Sequence, residues 1–132
     1  MCGIIGIVSK NEVVNRLIDG LVRLEYRGYD SAGIATINSS EIVYSKSTGK
    51  LVSLKNKIKQ NPIDGHVGIG HTRWATHGEP IEINAHPHVT KNVAVVHNGI
   101  IENFAEFKDG LRGKGINFKS QTDTEAVSYT HL

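Results

Sequence analysis

Residues 2–8 read CGIIGIV, a short and nearly continuous apolar run that begins at the second position of the chain. The length of the run and its β-branched residues predict a buried β-strand from Gly3 to Val8. The chain has a single cysteine, Cys2, and it stands immediately before this strand. The N-terminus therefore combines a predicted core strand with the one thiol in the sequence.

The whole chain has 132 residues, enough for one domain with a hydrophobic core. Its 15 basic and 13 acidic side chains give a net charge of +2, which argues against nucleic acid or a membrane surface as a partner. The N-terminus lacks a basic leader and a cleavage site, so we expect no signal peptide and a cytoplasmic protein. No apolar run is long enough to span a bilayer.

Further elements follow this strand. Apolar residues recur at helical spacing over 13–22, and Asn11 is a candidate cap for a helix that stops near Gly28. Strands are predicted at 32–37 and 41–45 around a polar turn, followed by a weaker helix over 51–60. Another strand is expected at 67–73.

The second half of the chain is less regular. Residues 76–88 contain two prolines, one glycine and few apolar residues, which predicts an ordered loop rather than a core element. Residues 93–96 predict a buried strand. Capping boxes at 103–106 and 122–125 predict two helix starts, the first helix running to about Arg112. The second start lies near the chain end, so we expect a truncated helix. The mixture of strands and helices predicts an α+β domain.

The position of Cys2 suggests nucleophilic chemistry. Removal of Met1 would leave a thiol and a free α-amino group on one residue. An α-amino group has a pKa of about 7.7–8.0, so it can accept the thiol proton and later return it to a leaving amine. The thiolate is the attacking species. From position alone, however, a small core residue is the more common interpretation of such a cysteine.

Five further blocks decide between these readings: residues 24–33 (LEYRGYDSAG), 70–78 (GHTRWATHG), 84–88 (NAHPH), 97–103 (HNGIIEN) and 122–125 (TDTE). Together with CGIIGI at the N-terminus, and in this order, they resemble the glutaminase domain of the glucosamine-6-phosphate synthase family. That family belongs to the class II glutamine amidotransferases. The resemblance covers residues 2 to about 125. Residues 128–132 depart from the family pattern, which leaves open whether 126–132 are native sequence.

The resemblance implies a fold and an activity. The fold is the αββα sandwich of N-terminal-nucleophile hydrolases, which we expect to be incomplete at the C-terminus. Residues 1–132 would be a partial glutaminase domain without the downstream sugar-isomerase domains, and inactive alone. The implied activity is hydrolysis of glutamine, whose ammonia converts fructose 6-phosphate to glucosamine 6-phosphate. No cofactor or metal is implied, and the full-length protein is expected to be a homo-oligomer.

The resemblance also assigns catalytic roles. Cys2 is the nucleophile and its α-amino group is the base. The side-chain amide of Asn98 and the backbone N–H of Gly99 form the oxyanion hole, for which two preorganised donors after a buried strand are suited. Without the resemblance, an Asn-Gly pair is most simply a hairpin turn.

Other positions match the family's substrate pocket. Arg73 corresponds to the clamp for the glutamine carboxylate, a role that suits a planar guanidinium. Asp123 corresponds to the partner of the ammonium group, although by itself it is better interpreted as a helix cap. By the same resemblance, Thr76 and His77 line the pocket and Trp74 closes over the substrate. Arg27 and Tyr29 are support residues.

Three alternatives stay open. Another class II amidotransferase, of the purine-pathway type, fits the general motifs but fits residues 26–33 and 72–77 less well. A non-catalytic fragment would keep the motifs and lack a complete fold. A metal-binding module is suggested by five clustered histidines: His71, His77, His86, His88 and His97. Possible carboxylate ligands are few, since only Glu79 and Glu82 lie in the same loop.

Overall fold

A computed structural model of the chain describes residues 1–76 and 78–130. Its larger sheet has four antiparallel strands in the order β1-β4-β2-β3. These strands are β1 (Gly3–Val8), β2 (Ser31–Asn38), β3 (Glu41–Thr48) and β4 (Val67–Arg73). Helices α1 (Val14–Arg23) and α2 (Leu51–Gln60) pack against one face of this sheet.

The opposite face of the larger sheet meets a second layer. A two-stranded antiparallel sheet is formed by β5 (His88–Val89) and β6 (Ala94–Val95). A 3₁₀ helix, Thr124–Tyr129, packs on this small sheet, and helix α3 (Phe104–Arg112) packs on the 3₁₀ helix. The layers therefore follow the order helix, sheet, sheet, helix, and the predicted α+β class and αββα arrangement are confirmed.

The hydrophobic core lies between α1, α2 and the larger sheet. The helical periodicity of residues 13–22 puts Leu17 and Leu21 on the buried face of α1, where both are fully inaccessible to solvent. Burial of each such side chain contributes about 1.5–3 kcal/mol. A Cβ atom at Gly68 in β4 would lie 2.6 Å from Leu17 Cδ1, so the absence of a side chain there leaves room for Leu17 of α1 against the sheet.

Several sequence-based predictions need correction in the first half of the fold. β1 has the predicted bounds, but it is an edge strand, and Ile4 and Val8 are exposed rather than buried. Asn11 does not cap α1. The backbone N–H of Val14 instead donates to Glu12 Oε1 at 2.7 Å, because the longer glutamate side chain can fold back onto the first turn.

The second half differs more from its prediction. Residues 76–88 are predicted to form an ordered loop rather than a core element, but of those that the structure describes only 76 and 78–83 are exposed, and residues 84–88 are buried, including Asn84, His86 and His88. Hydrogen bonds make this burial possible, since the Asn84 amide donates to Glu79 O and Gln121 Oε1, both at 2.9 Å. The strand at 93–96 is only two residues long and half-buried. Asn103 makes no side-chain cap on α3.

No helix within residues 1–76 and 78–130 combines the length and the apolar character needed to cross a membrane.

Candidate active site

Cys2 lies where the edge strand β1 meets the end of β4. The pairing of Gly3 with Thr72 brings the cysteine beside the residues that follow β4. The Cys2 Sγ accepts a hydrogen bond from the backbone N–H of Trp74 at 3.2 Å, and it lies 3.7 Å from the Trp74 carbonyl oxygen. The thiol is half-buried. It is therefore held in place and still reachable from a neighbouring cavity.

The terminal ammonium of Met1 has a defined site. It donates to the carbonyl oxygen of Arg27 at 2.7 Å and to that of Gly28 at 3.3 Å. Gly28 has a φ of +74° and a Cβ there would lie 3.1 Å from the Trp74 ring, so glycine allows the chain to turn beneath that ring. Two backbone carbonyls thus form a docking point for an ammonium group next to Cys2.

Asn98 and Gly99 approach Cys2 from the other layer. The Asn98 Nδ2 donates to the Cys2 carbonyl oxygen at 3.2 Å. Gly99 lines the same cavity as the thiol and has a φ of +152°. The pair lies in the irregular segment between β6 and α3, so the hairpin-turn interpretation is wrong. Asn98 and Gly99 therefore both line a cavity that Cys2 also lines.

One cavity of about 240 Å³ collects most of the predicted site residues: Cys2, Arg73, Trp74, Thr76, Gly99 and Asp123. Asn98 and Arg27 line an adjoining cavity of about 570 Å³, which shares Cys2, Trp74, Thr76 and Gly99 with the first. His77 lies outside the described residues. The thiol therefore stands at the junction of two cavities whose walls carry a buried cation and a buried anion.

The buried cation is Arg73, at the end of β4 and only 4% exposed. Its guanidinium donates to the carbonyl oxygens of Gly78 and Glu79, each at 3.2 Å, and lies 3.9 Å from the Asp30 carboxylate. Burial lowers the Arg73 pKa, and Asp30 partly opposes that change. The guanidinium is thus fixed in direction by backbone acceptors and has a nearby counter-ion.

The buried anion is Asp123, which is 5% exposed. Its Oδ2 accepts from the backbone N–H of Ile101 at 2.8 Å. Its Oδ1 accepts from Thr124, at 2.9 Å from the backbone N–H and at 3.3 Å from the hydroxyl. The predicted cap is therefore present, and the same carboxylate ties the segment after Gly99 to the 3₁₀ helix. A carboxylate has about four acceptor sites, so one remains for a ligand.

The two predicted support residues have different surroundings. Arg27 lines the adjoining cavity and presents its carbonyl to the terminal ammonium. Tyr29 packs against the hydrophobic core. Its hydroxyl donates to Glu25 and accepts from the Leu51 N–H at 2.8 Å, and burial raises its pKa to about 12. Tyr29 therefore contacts the N-terminus of α2 and lines neither of the two cavities.

Three of the clustered histidines form a buried array. The rings of His71 and His86 stack with centroids 4.3 Å apart, and His88 meets His86 edge-on at 4.7 Å. Burial lowers the pKa of His71 to about 4 and that of His88 to about 3, and it also lowers the pKa of His86. Hydropathy gives no signal for such burial. The alternation of His86 and His88 was the available hint that both side chains face one way.

These histidines do not form a metal site in the part of the chain that the structure describes, since no group of three or more His, Cys, Asp or Glu side chains there is arranged to hold an ion. The His88 Nε2 instead pairs with the Thr122 hydroxyl at 2.7 Å. The array thus links β4, β5 and the segment before Asp123.

Comparison with known proteins gives consistent matches. A profile described as "Glutamine amidotransferase domain" matches residues 59–131. The chain is 58% identical over 129 residues to proteins named glutamine–fructose-6-phosphate aminotransferase [isomerizing] from Mesorhizobium japonicum and Brucella abortus, and 57% identical to one from Clostridium acetobutylicum. Those alignments cover 96–98% of this chain and 21% of each relative.

Two solved structures have similar folds. Glutamine phosphoribosylpyrophosphate amidotransferase from B. subtilis, complexed with ADP and GMP, superposes with a TM-score of 0.80 at 26% identity, covering 97% of this chain and 28% of that one. A structure described as the allosteric regulatory enzyme of purine biosynthesis gives a TM-score of 0.80 at 27% identity, covering 98% and 29%.

Proposed function

The chain belongs to the glutamine amidotransferase family, and from that premise we propose that it hydrolyses glutamine with Cys2 as the nucleophile. The observation that carries the proposal is the meeting of three groups at one cavity. The thiol of Cys2, the buried guanidinium of Arg73 and the buried carboxylate of Asp123 all line it. A free amino acid carries one carboxylate and one ammonium, so this wall chemistry complements its two charges.

Removal of Met1 precedes the reaction and frees the α-amino group of Cys2. That amine accepts the thiol proton, and the thiolate attacks the side-chain carbonyl carbon of glutamine. The negative charge that develops on the carbonyl oxygen is stabilised by Asn98 Nδ2 and the Gly99 N–H. The amine then returns its proton to the leaving nitrogen, which departs as ammonia. A water molecule hydrolyses the remaining thioester to glutamate and restores the thiol.

Substrate binding rests on the two buried charges. Arg73 has five N–H donors, so it can keep its bonds to backbone carbonyls and still donate to the glutamine carboxylate. Asp123 supplies its remaining acceptor site to the ammonium group. Thr76 lines the pocket, and Trp74, which is 54% exposed over Gly28, covers the substrate. His77 is proposed as a further lining residue.

The wider activity is proposed from the relatives, of which this chain spans 21% of the length. Their name and the 58% identity favour delivery of ammonia to fructose 6-phosphate, giving glucosamine 6-phosphate in a cytoplasmic homo-oligomer with separate sugar-isomerase domains. The structural neighbours from purine biosynthesis have the same fold at 26–27% identity. The higher identity therefore favours the amino-sugar reaction over the purine one.

Substitution of Cys2 tests the proposal. Cys2→Ala should abolish glutamine hydrolysis and Cys2→Ser should nearly do so, because neither offers a thiolate. An electrophilic glutamine analogue should attach once per chain at Cys2, the only thiol. L-Glutamine should protect against this labelling and D-glutamine should not. A Cys2→Ala protein that hydrolyses glutamine or still takes the label would place the nucleophile elsewhere.

A further inference from the structure

His71 carries a buried imidazole that the proposed mechanism does not use. We propose that His71 is a positioning residue that fixes the orientation of the Asn98 side-chain amide and so sets the oxyanion hole. The inference rests on the proposed function, since it assigns a role to Asn98 in glutamine hydrolysis.

The hydrogen-bond partners of His71 indicate which of its ring nitrogens carries the hydrogen. His71 Nε2 lies 2.8 Å from Asn98 Oδ1 and 3.2 Å from the carbonyl oxygen of His97. A backbone carbonyl can only accept, so Nε2 must carry a hydrogen. The Asn98 atom that faces a donor must then be its oxygen. His97 O thus fixes which end of the amide points towards His71.

The other end of the Asn98 amide also has a defined partner. Asn98 Nδ2 donates to the carbonyl oxygen of Cys2 at 3.2 Å. That carbonyl also can only accept, so the NH₂ group must point towards the cysteine. An amide nitrogen carries two hydrogens, and the second is available to an oxyanion. Two independent acceptors, one at each end, therefore select the same orientation.

Loss of the imidazole donor would weaken the preference of the Asn98 amide for this orientation. A flip of the Asn98 amide about its terminal bond would then be opposed only at the Cys2 end, where the carbonyl would lose its donor and face the amide oxygen. The flipped side chain would present a carbonyl oxygen, and not a donor, to the developing negative charge. His71 makes that flip unfavourable because its N–H would face the amide NH₂. A buried donor that faces another donor is left without an acceptor, which is unfavourable.

The surroundings keep His71 in the required form. The residue is 1% exposed and its ring stacks on His86 at 4.3 Å. Its Nδ1 is buried without a hydrogen-bond partner among the described residues. Burial, with Arg73 nearby, lowers the His71 pKa to about 4, so the ring is neutral at physiological pH. His86 Nδ1 accepts from the His97 N–H at 3.3 Å and so helps to hold the residue whose carbonyl His71 contacts.

The test uses a pair of variants that differ by one methylene. In His71→Gln the amide nitrogen reaches the place of Nε2, whereas in His71→Asn it reaches only the place of Nδ1. The substitutions are introduced into the full natural protein, and its glutamine hydrolysis is measured. We expect His71→Asn to lower kcat by roughly 10- to 100-fold with KM nearly unchanged, below the ~10²–10³-fold cost of removing an oxyanion donor. His71→Gln should keep most of the activity.

Two controls separate positioning from a general structural effect. Adding His71→Asn to Asn98→Ala should lower kcat no further than Asn98→Ala alone, since the two residues act as one unit. Alkylation of Cys2 by iodoacetamide displaces iodide and forms no oxyanion, so its rate should be the same in His71→Asn and in the unchanged protein.

Several results would overturn the inference. They are a wild-type kcat in His71→Asn, equal losses in both variants, additive losses with Asn98→Ala, or a parallel loss of alkylation. If His71→Asn does not fold, His71→Phe, which keeps a ring without a donor, takes its place in the same comparisons. Absence of glutamine hydrolysis in the unchanged protein, with alkylation intact, would instead overturn the proposed function.

Discussion

The two halves of the molecule bury very different chemistry. In the first, residues 3–73, a cluster of aliphatic side chains fills the space between the helices and the larger sheet. In the second, within 78–130, the buried apolar residues are only Ala85, Pro87 and Ala126. Its other buried residues are polar or charged: Asn84, His86, His88, Lys108, Ser120, Thr122, Asp123, Thr124, Glu125 and Ser128. We call these the apolar half and the polar half.

The segment around Glu125 shows how the polar half is stabilised. Its Oε2 accepts from the backbone N–H and the hydroxyl of Ser120, both at 2.6 Å, and its Oε1 accepts from the Lys119 N–H at 2.8 Å. Lys108 donates to the Ser120 carbonyl at 3.2 Å.

Hydrogen bonds depend on direction, whereas the hydrophobic effect does not. Hydrogen bonds in the polar half therefore fix the orientation of Asp123, whereas the aliphatic cluster of the apolar half supplies hydrophobic stability. The apolar half also contributes His71 and Arg73 to the site, from the end of β4.

The largest expected effect is on stability in the apolar half. Leu17→Ala should lower the free energy of unfolding by about 2–5 kcal/mol, because it leaves a cavity beneath the sheet. Val52→Ala, at a position 58% exposed on α2, should change it by no more than about 0.5 kcal/mol. Denaturant unfolding measures both. Equal losses in the two variants would contradict the assignment of the stability of the apolar half to its aliphatic cluster.

Next in size is the loss of binding when the buried cation changes shape. Arg73→Lys keeps the charge but loses the planar fork, so kcat/KM for glutamine should fall roughly 10- to 100-fold, mainly through KM. The control is Arg112→Lys, whose exposed guanidinium pairs with Asp109, and no change is expected there. Steady-state kinetics with both parameters unchanged in Arg73→Lys would remove Arg73 from the carboxylate site.

The smallest expected effect, taken per histidine and per pH unit, concerns acid. The pKa values of His71 and His88 are lowered to about 4 and about 3, and that of His86 is also lowered, from about 6.5 in the unfolded chain. The unfolded state therefore binds more protons below pH 6.5. The stabilisation is complete above that pH and is lost as pH falls towards 4 and 3. Each histidine contributes up to about 1.4 kcal/mol per pH unit in that window.

Unfolding free energies at pH 7.5, 6 and 5 check this expectation. His88→Gln should remove about a third of the slope, whereas His66→Gln, at an exposed position, should leave it unchanged. A flat profile between pH 7.5 and 5 in the unchanged protein would show that the array is protonated in the folded state.

The same contrast explains what the sequence could predict. The apolar half follows periodicity, so α2 and β4 have their predicted bounds and Leu17 faces the core. Periodicity does not report the order of the strands in the sheet, and that order makes β1 an edge strand. In the polar half, burial depends on partners distant in the chain, such as Asn84 with Gln121, and no local pattern reports them.

The candidate site was predicted from motif resemblance rather than from pattern. That resemblance named Cys2, Arg73 and Asp123, which the structure brings to one cavity. It did not identify His71, whose proposed role depends on the direction of its hydrogen bond to Asn98. It also named Tyr29, which the structure places against the hydrophobic core instead of the cavity.

The central claim is that the nucleophile and its base share one residue, Cys2. The most direct measurement is intact-mass spectrometry of a sample in which Met1 has been removed from only part of the molecules, after brief exposure to an electrophilic glutamine analogue. The account predicts that molecules beginning at Cys2 carry one label and that molecules retaining Met1 carry none. Equal labelling of both forms would contradict it, because the α-amino group of Cys2 would then be unnecessary as the base.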